Sequence, residues 1–101
     1  MKRQKHIVIY NCMDKRISQE IIATDTIKHI WLELPERKRV VIEYINPSTE
    51  REMSVSEYYT DSLKAESRIH RLAQMICGEG YMYGVYSPPI TEDEAESEGK
   101  E

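Results

Sequence analysis

Between Tyr58 and Asp61 the hydrophobic period of the chain changes from that of a strand to that of a helix. Upstream, Met53 and Val55 alternate with Glu52, Ser54 and Ser56, the pattern of a strand with one buried face. Downstream, Ala65, Ile69, Leu72 and Ile76 recur at spacings of four, three and four, which stacks them on one helical face. A strand that runs almost directly into an amphipathic helix restricts the fold to a sheet with that helix laid across it.

The rest of the chain supplies more strands. Residues 6–12 form a short, nearly continuous apolar run suited to a strand buried on both sides. Residues 17–24 read as a second strand, broken by Thr24-Asp25-Thr26, whose short polar side chains compete for backbone hydrogen bonds. Over residues 27–34, Ile30, Leu32 and Leu34 share a face and Trp31 points to the other. Residues 39–46 alternate Val40, Ile42 and Tyr44 with Val41, Glu43 and Ile45. Asn46-Pro47-Ser48-Thr49 is a hairpin turn into a return strand over residues 50–58. An earlier helix start is offered by Ser54-Val55-Ser56-Glu57, an S-x-x-E capping box. The clean alternation from Glu50 to Ser56 favours a start at Thr60 or Asp61, with a stop at Gly78. A last, tyrosine-rich strand is expected over residues 81–86. These elements predict an α+β fold: an antiparallel sheet of five or six strands with one long amphipathic helix packed on a face.

At 101 residues the chain reads as one domain, spanning residues 1–90, followed by an acidic tail over residues 91–101. Six acids against Lys100 give the last ten residues a net charge of -5, out of -4 for the whole chain, so the body is close to neutral. Such a segment has too little apolar surface to offset its ordering entropy, and disorder is expected. The apolar run Ile7-Val8-Ile9-Tyr10 is too short for a signal-peptide core or a membrane span, which points to the cytoplasm.

Little in the chain suggests catalysis. His6, His29 and His70 lack partners at metal or triad spacing, Cys12 and Cys77 form no C-x-x-C, and the glycines after residue 77 follow a helix where a phosphate loop must open one. No enzyme activity, metal or cofactor is expected. Two surface features remain. One is aromatic and acidic: Trp31 on the sheet face away from Ile30, Tyr81, Tyr83 and Tyr86 in the last strand, and Glu92, Asp93, Glu94 and Glu96 in the tail, all suited to a protein partner. The other is basic: Lys64, Arg68 and Arg71 along one stripe of the helix away from its apolar face, with Arg37, Lys38 and Arg39 in a hairpin turn, where phosphates could bind.

The hairpin strands followed by Y-x-[ST]-x-x-x-x-A, here Tyr58 to Ala65, resemble small proteins of phages, plasmids and conjugative elements. In size, acidity and lack of chemical motifs the chain also resembles anti-CRISPR and other anti-defence proteins. That resemblance implies a non-catalytic inhibitor that binds a host nucleic-acid-handling protein, such as a Cas9-type CRISPR effector nuclease, with carboxylates standing in for phosphates. The alternatives are a small nucleic-acid-binding or regulatory domain using the basic stripe, and a structural accessory domain of a larger assembly.

Overall fold

The computed structural model describes residues 3–34, 38–78 and 87–98, with only the backbone of Glu98. In chain order the elements are β1 (His6–Met13), β2 (Arg16–Ala23), a 3-10 turn (Thr24–Thr26), β3 (Ile27–Glu33), β4 (Arg39–Ile45), β5 (Glu52–Tyr58), α1 (Ser62–Cys77) and α2 (Glu92–Glu98). The strand expected over residues 81–86 lies outside the described residues.

The single sheet of five or six strands is not what forms. β1 and β2 make one antiparallel sheet, and β3, β4 and β5 make a second in that order. The division has a local cause. β1 and β2 are a tight hairpin in which Met13 faces Arg16, leaving Asp14 and Lys15 as the turn. Asp14 takes a φ of 44°, the left-handed geometry that a two-residue hairpin requires. At the far end the Thr24 amide donates to the Lys5 carbonyl at 2.9 Å, and its hydroxyl donates to the Gln4 carbonyl at 2.8 Å. The Thr26 hydroxyl donates to the Ala23 carbonyl at 2.6 Å. This polar knot turns the chain off the edge of β2 before β3 begins, so the two consecutive strands do not pair. β1 does run beside β5. The Tyr10 amide on that side, however, donates to the Glu57 carboxylate at 3.0 Å, where a continuous sheet would offer it a backbone carbonyl.

Within the three-stranded sheet, Val40 faces Leu32 and Glu57, and Ile42 faces Ile30 and Val55. This inner face packs against α1, whose Ala65 and Leu72 are fully buried, and against Ile7, Ile9 and Ile22 from the hairpin. Ile69 and Ile76 are partly buried at its margin. The helix is covered on a second flank as well, because Ser67 and Gln74, about half a turn from Ala65 and Leu72, are also buried. Its ends follow the sequence signals. Asp61 Oδ1 accepts from the Lys64 amide at 2.9 Å, and Gly78, at φ 74°, donates its N–H to Gln74 O at 2.7 Å.

The expected disorder from residue 91 onward is overturned between Glu92 and Glu98, which form α2. Thr91 caps it: its Oγ1 accepts from the Glu94 amide at 3.1 Å while Glu94 Oε1 accepts from the Thr91 amide at 3.3 Å, a reciprocal capping box. Just upstream, Ile90 bridges to Tyr58, its amide donating to the Tyr58 carbonyl at 2.8 Å. Composition alone missed this because the segment is held by hydrogen bonds to β1 and β5, with little apolar burial of its own.

Candidate functional site

At the junction of the two sheets sits a carboxylate with no solvent exposure, that of Glu57. Strand alternation places it there, since Val55, Glu57 and Tyr59 follow one another on the inward side. Four donors converge on it: the Tyr10 amide at 3.0 Å, the Tyr59 hydroxyl at 2.7 Å, and Arg68 Nε and Nη2 at 2.7 and 2.9 Å. Arg68 Nη2 also donates to the Val8 carbonyl at 3.0 Å, and its guanidinium lies 5.6 Å from the centre of the Tyr10 ring. Burial alone lowers the Arg68 pKa, but the hydrogen bonds and charge of Glu57 outweigh it and hold the guanidinium protonated. Burial, then the Glu57 charge, pushes the Tyr59 phenol far up, so it stays a donor.

The placement of Arg68 on a solvent-facing stripe is therefore corrected. Three residues of helix put it about 60° from Ala65, at the rim of the apolar face, where its side chain is 12% exposed. Nearby Cys12 is buried, and desolvation pushes its thiol up to about 11, against a smaller lowering by the Tyr58 backbone. It is a neutral thiol at physiological pH.

A second network covers the outer face of the three-stranded sheet. There Trp31 lies opposite Val41, and Val41 opposite Ser56; one pair along, Glu33 faces Arg39 and Arg39 faces Tyr58. Arg39 binds Glu33 through two parallel bonds, Nε at 2.6 Å and Nη2 at 2.9 Å. Its Nη1 donates to Ser56 Oγ at 3.1 Å, and its guanidinium lies 6.0 Å from the centre of the Tyr58 ring. Half-buried Trp31 packs against His29 at a ring separation of 4.9 Å.

Tyr58 joins this face to α2 by donating its hydroxyl to Glu92 Oε2 at 3.2 Å. Glu92 Oε1 in turn accepts from the Asp14 amide at 3.2 Å, and the Asp14 carbonyl accepts from the Asp93 amide at 2.9 Å. The acidic helix is thus clipped to the β1–β2 turn and to the end of β5, with Glu94 and Glu96 exposed and Asp93 half-exposed.

Of the residues singled out from the sequence, Trp31, Arg39 and Glu92 belong to this one surface. Tyr81, Tyr83, Tyr86 and Arg37 lie outside the described residues. The basic stripe is broken up: Arg68 is held by Glu57 and Arg39 by Glu33. Lys64 donates to Thr60 at 2.7 Å, Arg71 is half-buried with its own interactions, and half-buried Lys38 accepts the Tyr59 amide at its carbonyl, at 2.8 Å. Sequence reasoning missed Glu57 and Tyr58, although the parity of β5 was the available signal for both.

One further feature completes the surface. A cavity of about 180 Å³ opens between β2 and the end of β4, lined by Glu20, Tyr44 and Asn46 among others. Glu20 Oε1 accepts from the Tyr44 hydroxyl at 3.4 Å, while its Oε2 is buried with no partner among the described residues. Burial, then Glu20, raises the Tyr44 pKa. Among the described residues no group of three or more His, Cys, Asp or Glu converges to hold a metal ion, and no helix is long and apolar enough to cross a membrane.

No family model, curated protein or solved structure matches the chain. Its functional reading therefore rests on its own residues.

Proposed function

We propose that the chain is a non-catalytic interaction protein of a mobile genetic element, which binds the cationic, nucleic-acid-handling surface of a host protein in the cytoplasm and inhibits it. A Cas9-type effector nuclease is the partner class we favour. The observation that carries this reading is the clipping of α2 to the body through Glu92, Tyr58 and Asp14. A disordered acidic tail must lose its freedom when it binds, whereas carboxylates on an anchored helix are already positioned. Exposed Glu94 and Glu96 then act as phosphate surrogates toward lysines and arginines of the partner. Trp31, half-buried on the adjoining sheet face, supplies an aromatic contact. The ion-paired states of Arg39 and Arg68 favour this reading over direct phosphate binding, since either guanidinium must abandon a carboxylate to reach a phosphate.

The test is a cleavage assay with guide-loaded and guide-free Cas9-type nuclease, run beside a gel shift of the isolated protein on DNA and RNA. The reading predicts inhibition that weakens roughly tenfold in the double variant Glu94→Gln, Glu96→Gln, in which the amide oxygen at position 94 still serves the cap. It also predicts no nucleic-acid shift below about 1 μM at physiological salt. Unimpaired cleavage by every defence nuclease tried, or tight, salt-steep binding to nucleic acid, would overturn it.

A further inference from the structure

We infer that β2 is the seam of a homodimer, in which its outer edge pairs antiparallel with the same edge of a second copy. The Tyr10 amide and the Val8 carbonyl point away from β2, to Glu57 and Arg68. In an antiparallel pair, residues directly opposite turn their backbone groups the same way relative to the ladder, both toward it or both away. Gln19 lies opposite Tyr10 and Ile21 opposite Val8, so Gln19 and Ile21 turn theirs to the open side of β2. Alternation adds Ile17. No described strand pairs with that side, and Arg16 to Gln19 are all exposed. It is a long edge with no proline and no bulge, and such edges template pairing with another chain.

The side chains select a second copy as the occupant. With Gln19 opposite its own symmetry mate, Ile17 faces Ile21 of the other chain twice, and all three residues with outward backbone groups form hydrogen-bonded pairs. Ile21 is 73% exposed, and Ile17 and Val8 are each 40% exposed; all three lie on one face of the hairpin. In the dimer they and their mates form a single apolar stripe across the seam. The opposite face carries charge that the same register complements. The Arg16 side chain has no ion pair or hydrogen bond among the described residues, and in the dimer it lies diagonal to Glu20 of the mate, whose Oε2 has no partner among the described residues. Diagonal neighbours about 7 Å apart are within reach of an arginine. A shift that set Glu20 against Glu20 would place like charges face to face and is disfavoured.

Sedimentation velocity on the full chain tests this. A monomer–dimer equilibrium is expected between ~1 and ~500 μM, weakened at least about tenfold by either Ile21→Lys or Ile17→Lys, with an unchanged far-UV spectrum in each case. In a Cys77→Ser background, Gln19→Cys is expected to cross-link to its mate on mild oxidation, because a hydrogen-bonded pair sets Cα atoms about 5.5 Å apart. A chain that remains monomeric throughout the range overturns the inference. So does a dimer that is indifferent to both lysine variants and does not cross-link at residue 19, which would place the interface elsewhere.

Discussion

A carboxylate and a guanidinium withdrawn from water lose several kcal/mol of hydration each, and their attraction offsets that loss only where hydrogen bonds satisfy the remaining valences. Glu57 meets this condition with four donors, and Arg68 spends a further bond on Val8. Removing one partner strands the other. Arg68→Ala is therefore expected to cost about 3–5 kcal/mol in urea unfolding, whereas Ile69→Ala, at a half-buried site, stays below about 2 kcal/mol. This ordering reverses what a solvent-facing Arg68 implies. Cys12 makes a second residue-scale prediction. Its folded pKa of about 11 lies above the ordinary 9.0 of a free thiol, so the native state holds the proton more tightly. The associated stability is fully present below pH 9 and is lost as pH rises to 11, by about 2 kcal/mol. Cys12→Ala should flatten that part of the alkaline profile. At pH 8 a thiol reagent should titrate exposed Cys77 rapidly and Cys12 only after denaturant is added. Neither residue of the ion pair was read this way from the chain, although a signal for each was there: the alternation that turns Val55 inward turns Glu57 inward too, and a helical wheel puts Arg68 about 60° from Ala65 and not opposite the apolar face. What no spacing conveys is that the two meet, because their contact spans two elements and depends on how α1 crosses the sheet.

At the level of elements, the local signals were the legible ones. Strict alternation marked β3, β4 and β5, Asp61 and Gly78 marked the ends of α1, and Asn46 marked a turn in which its Oδ1 accepts from Ser48 at 2.9 Å. The grouping of strands was not legible. Alternation reports which face of a strand is buried and says nothing about its neighbour, so the polar knot at Thr24 and the side-chain link from Glu57 to Tyr10 had no counterpart in the pattern. α2 is the instructive failure: Thr91-Glu92-Asp93-Glu94 is a T-x-x-E box, and its three acids lie where the helix dipole favours them, yet net charge and low apolar content pointed to disorder. Its docking predicts that Glu92→Ala, which removes the acceptor for Tyr58 and Asp14, lowers stability by about 1 kcal/mol or more and reduces helicity by circular dichroism. Truncation after Ile90 should do the same, whereas Glu96→Gln on the exposed side should change neither.

At the scale of the whole molecule, two sheets that share no backbone ladder among the described residues form one body because Glu57, Arg68 and α1 lock them together, with α2 clipped across the same seam. The proposed partner surface depends on that unity, since its acidic helix is anchored to the turn of one sheet and the last strand of the other. Opening the β1–β2 hairpin alone takes the Tyr10 amide from Glu57 and the Val8 carbonyl from Arg68, and uncovers Ile7, Ile9 and Ile22. The most direct test is native-state amide hydrogen exchange, comparing Tyr10 in β1 with Ile42 at the centre of the larger sheet. Both amides are expected to exchange only through global unfolding, with the same opening free energy and the same denaturant dependence. A Tyr10 amide that exchanges through a smaller opening, several kcal/mol below that of Ile42, would show the hairpin to be an independent unit and contradict the claim.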